Sequence, residues 1–164
     1  MKFFFKVSLY GLIYLFIIFF LAFMFIVTAK ADLIKPNPNI EPYQVVKIQL
    51  NGLMKNNQPS TNYGIKQVWE FAHPNNQKNT GPLNRFISMI KGDNYKILLN
   101  HKDHEIKELK ITDYAVFYEI IVLDQNKIYY KFNWQVEKYK NDGPLKDCWL
   151  TTIVSAPIPL SSSI

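Results

Sequence analysis

The stretch Tyr114–Glu137, YAVFYEIIVLDQNKIYYKFNWQVE, decides the fold class. Its second half alternates cleanly. Ile128, Tyr130, Phe132, Trp134 and Val136 fall on one side, and Tyr129, Lys131, Asn133, Gln135 and Glu137 on the other. Successive side chains of a strand point to opposite faces, so this period of two in aromatic and β-branched residues predicts a strand. The first half, Tyr114 to Leu123, reads as a strand that is apolar on both faces, and Asp124-Gln125-Asn126 as the turn between the two. One face of the first strand should meet helices. The other, bearing Tyr114, Val116, Tyr118 and Ile120, is expected beneath a partner subunit, which would make the protein a homodimer.

Outward from this hairpin, Asn141-Asp142-Gly143-Pro144 is a second turn and Cys148 to Val154 a last strand. Pro157 to Ile164, with three serines, reads as an unstructured tail. On the other side, Glu105 to Ile111 and Tyr95 to Leu99 are weaker strand candidates. Before them the period changes to 3.6. Pro42 at a first helical position opens a helix to about Asn56, with Val46, Leu50, Leu53 and Met54 at helical spacing. Ile65, Val68, Trp69 and Ala72 mark a second helix that Pro74 ends. Asn75 to Asn79 reads as a polar loop. Thr80 is the expected N-cap of a third helix that Gly81-Pro82 opens, that carries Leu83, Phe86 and Ile90, and that Gly92 stops. Helices followed by hairpin-linked strands spell an α+β domain, with the helices on one face of a curved antiparallel sheet.

The chain has 164 residues, 48% hydrophobic, 15% aromatic and 20% charged, which excludes a disordered or low-complexity protein. Much of the apolar sequence lies in Met1–Ala31. Val7 to Thr28 carries no charge and follows Lys2 and Lys6. As a helix it would extend about 33 Å at 1.5 Å per residue. That crosses a bilayer core of about 30 Å. The two lysines favour an N-terminus kept in the cytoplasm. Ala29-Lys30-Ala31 reads as a signal-peptidase site with cleavage after Ala31. Two readings compete: the length favours an uncleaved anchor, and the small-x-small site favours a cleaved signal peptide. Both place the folded part outside the cytoplasm. Residues 32–41, with Pro36 and Pro38, form an extended linker, and 42–156 a single domain. Without Met1–Ala31 the balance is 16 basic against 13 acidic residues, scattered rather than clustered, and no nucleic-acid partner is expected. Cys148 is the single cysteine, read as a buried small hydrophobe with no disulfide to make.

One set of segments carries more than periodicity. Gly64-Ile65 is followed by Phe71-Ala72-His73-Pro74, Asn76, Thr80-Gly81-Pro82, Arg85-Phe86 and Met89-Ile90, then Tyr95, Leu98-Leu99 and finally Cys148-Trp149-Leu150-Thr151. From about Pro42 to Val154 this resembles the domain-of-unknown-function family 4864, whose signature is F-A-S-P-x-N, T-G-P-x-x-R-F-x-x-M and a C-terminal C-W-M-T-D-G-V. That family is similar to the NTF2-like (SnoaL-like) superfamily, so the resemblance implies helices packed into a bent sheet as a cone with an internal pocket. It supplies no reaction. Two departures stand out: His73 where the family has serine, and Thr152-Ile153 where it has Asp-Gly.

NTF2-like pockets can host isomerases and dehydratases, which need a buried carboxylate or histidine. Glu119 is the candidate base, on the strand face of Phe117 and Ile121, where a carboxylate would be desolvated. A strand-edge Glu reaching solvent is the plainer account, and no second acid–base residue stands beside it. Arg85, the sole arginine beside 18 lysines, offers a fork for a ligand carboxylate. A structural ion pair or carbonyl clamp explains it more simply. Thr80-Gly81-Pro82 presents free N–H groups but is far short of a phosphate loop. His101, Asp103, His104 and Glu105 suggest a metal, yet the two histidines would share a face only on a helix, so a solvated polar turn accounts for them better. Trp69, Trp134 and Trp149, with Tyr130 and Phe132, are candidates to line a pocket for an apolar ligand, or are simply core. No metal or cofactor is expected.

Two functions follow from this. The first is a non-catalytic envelope module that binds a small apolar ligand or another envelope protein. The second is a lyase or isomerase with Glu119 as general base and Arg85 or a tyrosine hydroxyl orienting the substrate. The missing second catalytic residue favours the module.

Overall fold

The computed structural model describes residues 32–160 together with Gly11, Tyr14, Phe16 and Ile18. The rest of the apolar N-terminal stretch, including the proposed cleavage site, lies outside the described residues, as do residues 161–164. Among the described residues no helix is long and apolar enough to cross a membrane.

Pro42, which needs no N–H partner, starts α1 (Pro42–Met54), and the Glu41 N–H donates to Gln44 Oε1 at 3.2 Å. Val45, Val46, Leu50 and Leu53 form its buried stripe, with Gln49 set among them. The second helix, α2 (Tyr63–Glu70), buries Ile65 and Val68 and crosses α1 where Gly64 meets Gly52. The expected polar loop after Pro74 is a helix, α3 (Pro74–Thr80). None of its residues is buried, so it has no apolar period to read. Local hydrogen bonding makes it instead: His73 Nδ1 accepts from the Asn75 N–H at 3.1 Å as an N-cap. His73 thus performs the capping that a serine would. Thr80 ends α3 rather than capping the next helix, its hydroxyl donating to Asn76 O at 2.7 Å. Then α4 (Leu83–Ile90) starts after Pro82 and buries Phe86 and Ile90. The weak strand expected over Tyr95–Leu99 is a single 3-10 turn, Lys96–Leu98.

The strands are β1 (Asp103–Ile111), β2 (Ala115–Leu123), β3 (Tyr129–Lys138), β4 (Trp149–Val154) and β5 (Ile158–Pro159). They form one open antiparallel sheet in the order β1-β2-β3-β4, with β5 also paired to β3. The expectation of an unstructured tail is therefore corrected at Ile158–Pro159, which pair with Lys131 and Tyr130. The molecule is α+β. Tyr118 opposite Trp134 and Ile120 opposite Phe132 fix the register of the central hairpin.

That register also corrects the assignment of faces. Val116, Tyr118, Ile120 and Val122 are buried, and they join Phe132, Trp134 and Val136 in the core with the stripes of α1, α2 and α4. Val116, Tyr118 and Ile120 are thus covered by the protein's own helices and not by a partner, and Tyr114, before the strand, is 53% exposed. Phe117, Glu119 and Ile121 lie on the opposite, partly exposed face. The sequence shows two apolar faces on β2, and burial of each large side chain contributes about 1.5–3 kcal/mol whichever face it takes. The tie is broken by β3, whose residues facing Phe117, Glu119 and Ile121 are Gln135, Asn133 and Lys131.

Residues 32–41 follow an extended path, as expected of a linker, but are tied to α2. Gln67 accepts from the Ile34 N–H and donates to Ile34 O, both at 2.8 Å. Tyr63 donates to Asp32 O at 2.9 Å, and Lys35 pairs with Glu70 at 2.8 Å.

Candidate functional site

Where α1, α3 and α4 approach the β4 end of the sheet, they leave a cavity of about 280 Å³. Leu53, Val68, Phe86, Ile90 and Leu98 supply its apolar wall, and Trp134 reaches it from the inner face of β3. Its other side is the backbone and side chains of Thr151 to Val154. A register shift against Gln135/Val136 bulges β4 here. Such a shift leaves backbone groups of the strand unpaired by its neighbour, and side chains and loops take them up.

Phe71 and His73 pair with β4 as a short parallel bridge: the Thr151 N–H donates to Phe71 O at 2.8 Å, and the His73 N–H to Thr151 O at 2.9 Å. Asn76 Nδ2 then donates to Thr151 O at 3.1 Å and to Thr152 O at 2.8 Å, spending both amide hydrogens. The Tyr95 hydroxyl donates to Val154 O at 3.2 Å. Beneath these, the Thr151 hydroxyl donates to Gln49 Oε1 at 2.6 Å and accepts from Trp134 Nε1 at 3.3 Å, while Gln49 Nε2 donates to Val68 O at 3.3 Å. Buried polar groups without partners are costly, and this chain of bonds satisfies one group after another while fixing β4 against α1 and α2. Three successive segments and a distant fourth thus enclose one space: Ala72 and Asn76; Thr80, Phe86, Met89 and Ile90; Tyr95 and Leu98; and, more than 50 residues on, Thr151–Val154.

No Asp, Glu, Lys, Arg, His or Cys is among the described residues that line the cavity. Glu119 is on the far face of the sheet, about a quarter exposed, with Lys131 Nζ 3.7 Å from its carboxylate. Arg85 is exposed on α4, is not among the residues that line the cavity, and makes no ion pair among the described residues, so the structural clamp is not realised there. Of the three tryptophans, Trp134 lines the cavity. Trp69 stands behind it with its ring 5.0 Å from that of Phe86, and Trp149 is buried under the Lys138 ammonium at 5.2 Å. Phe132 is fully buried core, and Tyr130 packs against it half-buried. Thr152-Ile153 lies at the cavity, Thr152 half-buried and Ile153 exposed. Gln49, Asn76 and Thr151 escaped the sequence reading as site residues. The available signal was Gln49, a polar residue in the apolar stripe of α1.

The histidine cluster is not a solvated turn. His101 is 2% exposed, and its Nε2 lies 2.8 Å from His104 Nδ1. The left-handed residue Asn100, φ 54°, turns the chain so that i and i+3 meet without a helix. Leu98 O, 2.7 Å from His101 Nδ1, can only accept, so that nitrogen carries the proton and His101 Nε2 accepts from His104 Nδ1. Burial holds both rings below the ordinary histidine pKa. No group of three metal-ligating side chains occurs among the described residues. Cys148 is buried with its thiol pushed up by desolvation, the opposite of an activated nucleophile.

Comparison of the chain with protein-family models, with curated proteins and with solved structures finds no match.

Proposed function

We propose that the protein is a non-catalytic module of the cell envelope, exported or anchored through Met1–Ala31, that holds a small apolar ligand in the cavity between its helices and β4. The supporting observation is the convergence just described. The segments on which the resemblance to the domain-of-unknown-function family 4864 rests are separated by up to 80 residues in hydrogen-bonded contact, yet most of them close around one apolar space. Such spaces, with few polar groups, are the usual form of small-ligand sites. The α+β order of helices and antiparallel strands agrees with an NTF2-like cone, and on that reading this space is the cone's interior. Glu119 as general base receives no support, since it is ion-paired on the other face of the sheet. Tyr95 is the one titratable group among the described lining residues, and general acid–base work needs a partner for it.

The test is to purify the full-length chain by export in a bacterial host, extract it with organic solvent and identify what it releases by mass spectrometry. A Val154→Phe variant, on the cavity side of β4 opposite Trp134, fills the cavity. An apolar compound present at near one per chain, and reduced more than tenfold in the variant while the thermal transition is kept, is the expected result. Equal release from both proteins overturns the proposal.

A further inference from the structure

We infer that the cavity selects a neutral ligand that donates a hydrogen bond, such as an alcohol or phenol on an apolar body, and rejects the corresponding carboxylate. This rests on the cavity being a binding site. The side chains of its walls still offer acceptors and almost no donors. Asn76 has spent both amide hydrogens on Thr151 O and Thr152 O, and its Oδ1 has no partner among the described residues. The Thr80 hydroxyl has spent its hydrogen on Asn76 O, and the Tyr95 hydroxyl on Val154 O, so each retains lone pairs only. Thr151 and Trp134 are likewise committed as donors. The Thr152 hydroxyl is turned to Gln135 O and Glu137 Oε1 at 3.5 and 3.4 Å, so the second amide hydrogen of the fully buried Gln49 is the single side-chain donor left over. A wall so composed is short of donors and rich in acceptors. It also holds no cation: the arginine of the resemblance motif, Arg85, faces away on the surface of α4. A carboxylate brought here would be desolvated with nothing to pair it, whereas a hydroxyl would find acceptors waiting.

Size completes the class. An apolar cavity of about 150 Å³ takes a benzene ring, and this one, at about 280 Å³, fits a body of two fused rings. The probes are therefore 2-naphthol, naphthalene and 2-naphthoate, the same skeleton with a donor, with nothing and with a charge. Met89 lines the cavity and reports on it locally. The full-length chain in lipid nanodiscs is labelled at the methionine methyl carbons, the Met89 resonance is assigned with Met89→Leu, and shifts are followed against free probe concentration.

We expect saturable shifts of Met89 with naphthol at a Kd about five- to tenfold below that of naphthalene, as one added neutral hydrogen bond gives. Naphthoate should give no saturable shift. In Tyr95→Phe and Thr80→Val the naphthol advantage should fall while naphthalene affinity is kept, which a merely structural role for either hydroxyl does not predict. Naphthoate binding as tightly as naphthol overturns the inference, as does naphthalene matching naphthol, or an advantage unchanged in both variants; in those cases the cavity still binds. No shift with any of the three overturns the binding reading itself.

Discussion

Tyr118 sits on the inner face of β2 with 1% of its surface exposed, and its hydroxyl has no hydrogen-bond partner among the described residues. Burial, with Glu108 adding to it, holds that phenol well above its ordinary pKa, so the group stays neutral and its hydrogen goes unused. An unsatisfied buried hydroxyl costs about 1–3 kcal/mol, while the ring that carries it is worth its full apolar burial. Tyr118→Phe keeps the ring and removes the orphan, so it should stabilise the fold by about 1 kcal/mol. Urea denaturation would show this as a raised midpoint at unchanged slope, and a loss of stability would mean that the hydroxyl has a bridging water to give up. The contrast with Thr151 is instructive. Both are polar side chains in the core, but Thr151 has two elements arranged around its hydroxyl, α1 through Gln49 and β3 through Trp134. Sequence distinguishes neither case, because the partner lies 102 residues away for Thr151 and nowhere for Tyr118 among the described residues.

Between elements, the crossing of α1 and α2 is set by two glycines that are not equivalent. A Cβ on Gly64 would stand 2.0 Å from Gly52 O and 2.5 Å from Gly52 C, which are backbone atoms that cannot move aside singly. A Cβ on Gly52 would instead meet Gln67 Cβ and Gly64 Cα at 3.4 Å, an ordinary contact. Alanine is the better helix former by roughly 1 kcal/mol. Gly52→Ala should therefore be neutral or slightly stabilising, and Gly64→Ala should cost about 2–3 kcal/mol by forcing the helices apart. Matched thermal melts of the two variants decide this, and similar transition temperatures would refute the close-approach argument. Helical periodicity does not separate Gly64 from Gly52, since the asymmetry belongs to the crossing and not to either helix; only the resemblance segments single out Gly64. The same limit explains α3. Helices that bury a stripe write a period of 3.6 into the chain, as α1, α2 and α4 do, whereas Pro74–Thr80 buries nothing and is held by His73, Asn76 and Gln77 bonding to backbone groups. Strands pose the converse problem: β3 alternates and is legible, while β2 is apolar on both faces but for Glu119, and its inward face is set by its neighbours.

At the scale of the molecule, the described domain has no disulfide, and its stability rests on one core shared by three helices and the sheet. The α+β order was legible because it needs only the switch of period near Gly92. The cavity was not, because it is a property of where α3 and β4 meet. Global stability should carry a pH dependence written by the buried histidine pair. Both rings are held below the ordinary value of 6.5, His101 by burial first and His104 by burial first, with Lys47 of α1 adding repulsion at His104 and Asp103 partly offsetting it at both. Unfolding returns them to water and to their ordinary affinity for protons. The unfolded chain then binds more protons than the folded one at any pH between the depressed folded values and 6.5. The stability that the neutral pair contributes is therefore complete above pH 6.5 and is lost as the pH falls from there through the folded values, at up to about 1.4 kcal/mol per pH unit for each proton taken up. Protonating both rings would also set two N–H groups against each other at the 2.8 Å contact. Urea midpoints should thus hold level from pH 8 to about 7 and drop between about 6.5 and 5, above the range in which ordinary carboxylates titrate. In His101→Gln, which keeps a donor for Leu98 O, the drop should shrink by about half or more. A midpoint that stays flat to pH 5 in the parent chain, or falls equally in the variant, would assign the acid sensitivity elsewhere.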